Sequence, residues 1–218
     1  MKNIARIMFV AFSLSVPFLL YGYGAETWRV LSAASISNPR WQMFIAGALA
    51  FVPTFFVARR LIEPVWNWLA TFEHELTHLI FGLLFFKLPV GFRVTAYHGG
   101  EVKYIGRGTT GETWITLAPY FFPTVSIFAV LIAWAASFDS KYLPAVLGWT
   151  TAFHLVTNWA ETSFRQPDIK KAGFIKTLIV LPVMNLICYG IVLAFVGGGT
   201  VGMLRFLFPV NFLLELRL

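Results

Sequence analysis

The sequence predicts an all-α polytopic membrane protein with about six transmembrane helices and one small membrane-associated β-hairpin. Three observations carry this expectation. Of the 218 residues, 58% are hydrophobic and only 12% charged, where an ordinary soluble domain is roughly half apolar and a quarter charged. Six apolar segments approach the ~20 residues that a helix needs to cross a bilayer: 4–21, 41–57, 65–86, 114–137, 142–160 and 174–196. One polar stretch, 88–111, alternates with period two instead. A single integral-membrane domain, 1–218, is the simplest organisation for this length, and no repeat or low-complexity linker divides it.

The first segment follows Lys2. A basic start and an apolar run resemble a signal peptide, but the run is long for one. Tyr21-Gly22-Tyr23-Gly24 is also a poor cleavage site, so an uncleaved first helix is expected. The second segment, 41–57, ends at Arg59 and Arg60. In the polar stretch, Phe92-Arg93-Val94-Thr95-Ala96-Tyr97 alternates, His98-Gly99-Gly100 supplies turn residues, and Glu101 to Ile105 alternates again, a hairpin pattern. Pro119 and Pro123 interrupt the fourth segment and should kink it, freeing backbone carbonyls. The fifth is the most polar: His154, Asn158 and Glu161 fall at i, i+4 and i+7 and share a face. The loop 162–176 carries Arg165, Lys170, Lys171 and Lys176. If the fourth and fifth segments both cross, this loop and 88–111 share a membrane face, opposite Lys2, Arg6, Arg59 and Arg60. Both faces are basic, so the positive-inside rule leaves orientation open. The tail 201–218 is broken by Arg205, Pro209, Glu215 and Arg217 and reads as an interfacial helix.

The formal net charge is +7. Its basic residues are scattered through short loops, which fits lipid headgroups and topology rather than nucleic acid. The one cysteine, Cys188, excludes an intramolecular disulfide and any zinc site built on several thiolates. A metal would have to be held by His, Asp or Glu.

The third segment contains His74-Glu75-Leu76-Thr77-His78, an H-E-x-x-H pattern. Ionisable side chains near the bilayer centre cost roughly 2.5–3.5 kcal/mol each on insertion scales, so three within a turn and a half call for a use. On a helix, His74 and His78 present two imidazoles one turn apart, and Glu75 sits about 100° round the helix. Zinc fits this arrangement: the histidines ligate, and Glu75 serves as general base towards a water whose pKa the metal lowers to ~7. A catalytic zinc takes three protein ligands, and His154, Glu161 and Asp168 are the candidates for the third. Spacing alone does not choose among them. A lone membrane-helix histidine is more often a packed residue, and an aspartate after Pro167 is more often a helix cap. Asn158 fits either an oxyanion donor or a helix–helix hydrogen bond. Glu73 reads as a neighbour of the site or a water contact, and His98 as turn chemistry.

His74 to Gly82, the following hairpin and Leu117-Ala118-Pro119-Tyr120 together resemble the site-2-protease group of intramembrane zinc metalloproteases, in its compact zincin branches. The resemblance spans 65–181. It implies an H-E-x-x-H helix, a membrane-associated β-hairpin and a later aspartate as third ligand, which would be Asp168 here. The aspartate motif departs from the family's: no glycine follows Asp168, and Asn158 stands further away than usual. Glu161 and His154 therefore stay open as alternatives. The resemblance further implies a Zn2+ cofactor and a membrane protein or peptide as substrate. An extended segment would then pair with the hairpin near Val94, Ala96, Val102 and Tyr104. The expected location is the bacterial cytoplasmic membrane. Two other classes fit the polar stripe: a small proton or metal-ion transporter, and an inactive relative that binds membrane helices without cutting them.

Overall fold

In lipid a chain must satisfy its own backbone groups, and helices do so locally. The computed structural model describes residues 2–105, 111–138, 140–161 and 166–209. The apolar runs become α1 (Lys2–Ser32), α2 (Pro39–Leu61), α3 (Glu63–Leu84), α4 (Glu112–Leu117), α5 (Thr124–Ala135), α6 (Leu143–Glu161), α7 (Pro167–Ala172) and α8 (Phe174–Leu207), with a short 3-10 turn at Ala118–Tyr120. The alternating stretch becomes an antiparallel hairpin, β1 (Leu88–Val94) and β2 (Gly100–Ile105). Its first strand begins and ends earlier than the alternation suggested, so Thr95 to Gly99 form the loop. There Thr95 Oγ1 donates to Gly99 O at 2.7 Å and accepts the His98 N–H at 3.0 Å.

Local chemistry sets the helix ends. Asn38 caps α2, its Oδ1 accepting the Arg40 N–H at 2.9 Å, with Pro39 in the first turn. The Arg40 side chain then donates to Val196 O at 2.8 Å and Phe195 O at 3.1 Å. Just beyond those carbonyls α8 breaks at Gly198 and Gly199, the latter at φ 59° and ψ −150°, a conformation open essentially to glycine. The break closes the expected 174–196 segment. The chain then doubles back and buries Met203 and Phe206 in the same cluster as Val192 and Phe195. Of the tail expected at 201–218, residues 201–207 thus belong to α8, with Met203 and Phe206 buried and Val201 and Leu204 exposed. Residues 210–218 lie outside the described residues.

The expected six spans are met only in part. Among the described residues, three helices are long and apolar enough to cross a membrane: α1, α2 and α8. A fourth is added if α4 with its 3-10 turn and α5, which meet at 95°, are taken as one broken span. Pro119 and Pro123 flank that bend. α3 and α6 carry Glu73, His74, Glu75, His78, His154 and Asn158 in mid-helix, which lowers their mean hydropathy below that of a free-standing span. Moreover, Arg6 lines one cavity together with Lys171 and Lys176. Five complete crossings between them would have left them on opposite faces, so the segments between cannot all cross.

α2 and α6 pack closely because Gly47 faces Ala145 and Gly148 faces Phe44 with no side chain between. A Cβ on Gly148 would collide with the Phe44 carbonyl. Phe51, Trp66 and Phe153 fill the adjoining α2–α3–α6 cluster. Gly148→Val should therefore destabilise the bundle by about 1–3 kcal/mol. Thermal unfolding in detergent checks this: a melting temperature equal to the parent's would contradict the packing described.

Candidate metal centre

α3 places His74 and His78 on one face, with ring centroids 4.9 Å apart. α7 brings Asp168 across to them, its Oδ2 lying 3.3 Å from His74 Nε2 and 3.2 Å from His78 Nε2. One ligand atom from each of the three lies within 4.8 Å of the others. α4 fixes the second imidazole: His78 Nδ1 is 2.8 Å from Ile115 O. A carbonyl can only accept, so Nδ1 carries the hydrogen and Nε2 keeps its lone pair for the centre. Metal-binding histidines are commonly oriented this way through their other nitrogen. His74 packs edge-on against Tyr120, with centroids 5.5 Å apart.

The donor set explains itself chemically. Carboxylate oxygen and imidazole lone pairs repel one another at these distances unless a proton or a cation lies between them. Burial alone would raise the Asp168 carboxyl pKa; protons carried on the facing His74 and His78 nitrogens would override that and hold it well below the usual carboxylate range, and a cation would act in the same direction in their place. Two nitrogens and one oxygen with solvent access match a zinc site that keeps a position open.

The centre faces a cavity of about 510 Å³ whose walls include Thr71, Glu75, His98, Gly100, Val102 and Tyr104. Glu75 thus opens on the same space as the three donors. It is buried beneath the start of β2, where a Cβ on Gly100 would collide with its side chain. Tyr104 inserts from β2 against Gly82, one turn beyond His78. Burial, then the charge of Glu75, pushes its phenol above the ordinary range, so it stays a neutral donor.

Of the proposed substrate-contacting residues, Val102 and Tyr104 line this cavity, while Val94 and Ala96 do not. Val94 lies on β1 opposite Gly100, and Ala96 falls in the loop. His154 is not with the metal donors. It sits behind α3, its Nδ1 3.5 Å from Glu73 Oε1, and both residues are almost fully buried. Asn158 lies on that side as well and donates to Tyr120 O at 2.8 Å. The helix–helix reading of this amide thus has a partner in place; Asn158 does not line the large cavity but shares a small one with His74. The Glu161 side chain and Arg165 lie outside the described residues.

Sequence reasoning overlooked the Ile115 carbonyl and Asn185. Asn185 Nδ2 also donates to Tyr120 O, at 3.2 Å. Two asparagines thereby satisfy a carbonyl freed at the proline-flanked bend. The prolines signalled the freed carbonyl, but nothing local signalled its partners.

If Asp168 is the third donor, Asp168→Ala should weaken zinc affinity by on the order of 100-fold or more, while His154→Ala should leave metal content unchanged. Elemental analysis of the purified variants checks both, and metal loss in the His154 variant alone would reverse the assignment.

A family model described as Peptidase M50B-like matches residues 43–166. That range takes in α3, the hairpin and α6 and stops just short of Asp168. No curated protein and no solved structure gave a match.

Proposed function

Because the chain belongs to the M50B-like peptidases, an integral-membrane family, we propose that it is a zinc metalloprotease hydrolysing peptide bonds in or near membrane-spanning segments. The observation that carries this reading is the convergence of His74, His78 and Asp168 on the cavity that Glu75 also lines. Zinc, when bound, would supply Lewis acidity and lower the pKa of water towards neutrality. Glu75 is the general base: it takes the proton of the attacking water and returns it to the leaving amine. Its position under the hairpin keeps it out of bulk solvent.

A membrane helix hides its peptide bonds in its own hydrogen bonds, so the substrate must unwind before attack. The hairpin suits an unwound segment. β1 and β2 pair only with each other among the described residues, which leaves outer main-chain edges for an extended strand to join. Val102 and Tyr104 would then meet its side chains on the cavity wall. The substrate on this reading is a membrane protein or peptide. The cytoplasmic membrane of a bacterium is the proposed location, and no nucleic acid is involved.

Glu75→Gln should lower cleavage of a helix-destabilised membrane peptide by roughly 100- to 10,000-fold while zinc content stays near the parent's. A zinc chelator should abolish parent activity, and added zinc should restore it. Cleavage unaffected by Glu75→Gln, or ion flux into vesicles that needs His74 and His78, would count against the peptidase reading.

A further inference from the structure

A second cavity, of about 320 Å³, lies where α1, α4, α7 and α8 meet, with Arg6, Phe9, Glu112, Thr113, Lys171 and Lys176 in its walls. We propose that it binds the phosphate headgroup of an anionic phospholipid. This inference does not depend on the peptidase reading.

The charge balance is the first argument. Three cations and one carboxylate face the same space. Lys171 lies 3.4 Å from Glu112 and so uses that carboxylate. Among the described residues, Arg6 and Lys176 have no carboxylate partner; Lys176 rests 5.7 Å from the centre of the Phe9 ring. Cations brought together from the first turns of two separate helices make this space favourable for an anion.

The second argument is position. α1 and α8 both begin at this cavity, pack side by side, and are both long and apolar enough to cross a membrane. Exposed Ile7, Met8, Phe174 and Ile175 flank the basic residues. Phe12 and Trp114 meet edge-on nearby, with centroids 4.7 Å apart, in the manner of an interfacial aromatic belt. A basic pocket between helices at the headgroup level, with hydrocarbon contact just beyond, matches a phosphodiester that carries acyl chains. A free anion would use only half of these features.

The two cavities share walls. Lys171 and Thr116 line both. Lys171 is one turn along α7 from Asp168, and Thr116 follows the Ile115 whose carbonyl holds His78. A headgroup seated on Lys171 would brace the short helix that presents Asp168.

Native mass spectrometry of the purified full chain, equilibrated with phosphatidylglycerol or phosphatidylcholine, tests this. Phosphatidylglycerol should be retained preferentially, and R6Q/K176Q should lower that preference by about tenfold or more. R6K/K176R should keep it. R60Q/K141Q, which removes two cations outside the cavity, should also keep it. If the double glutamine variant does not fold, K176Q alone should show a smaller loss. Equal retention of the two lipids by the parent, or undiminished preference in R6Q/K176Q or in K176Q, overturns the site. Displacement of the lipid by inorganic phosphate at equal concentration overturns the lipid assignment in favour of a soluble anion.

Discussion

Two imidazole nitrogens and a carboxylate oxygen aimed at the same few ångströms form an arrangement that only positive charge makes stable. The rest of the site is organised around holding those three atoms in place despite their mutual repulsion. His74 and His78 are held by the regularity of α3, with the Ile115 carbonyl fixing the second ring. Asp168 is held by α7, which packs between α4 and α8. The cost of taking such groups out of water is offset in part locally: His78 has the Ile115 carbonyl as a partner, and Glu75 opens on the cavity.

The bend between α4 and α5 makes this possible. A straight helix there would keep its carbonyls to itself. Pro119 and Pro123 break it, and the released Tyr120 carbonyl draws Asn158 from α6 and Asn185 from α8. Three elements are thereby tied together behind the histidines. In front, the hairpin lies over α3 because Gly100 and Gly82 leave room for Glu75 and Tyr104 respectively. Glycines in the hairpin and on α3 therefore set the depth of the cavity as much as the charged residues set its chemistry.

Much of this was legible in the chain because it is local. The spacing of His74 and His78 is a property of one helix, the hairpin is a property of alternation plus Gly99-Gly100, and the bend follows from two prolines. Features that depend on distant contacts were not legible. Spacing could not separate Asp168 from His154, because α7 reaches the centre only through packing, while His154 is turned away by its position on α6. The Ile115 carbonyl carries no residue-type signal at all. The number of spans was not legible because apolar length measures burial in lipid or in protein alike. α3 and α6 gain shelter from their neighbours, and α4 and α5 turn through 95° rather than continuing. The folding back of residues 201–207 was missed for a similar reason: Phe206 and Met203 look equally suited to lipid and to the flank of α8.

The separation of the donors along the chain has a consequence beyond chemistry. His78 and Asp168 are 90 positions apart, so an ion shared between them is a removable cross-link that closes a loop of that length. Ligation of this kind restricts the unfolded chain and ties metal affinity to the folding equilibrium. Loading with zinc would thus act as a clasp on the whole bundle, and a chain stripped of it would lose mechanical coherence between its middle and its last helices before it lost any single helix.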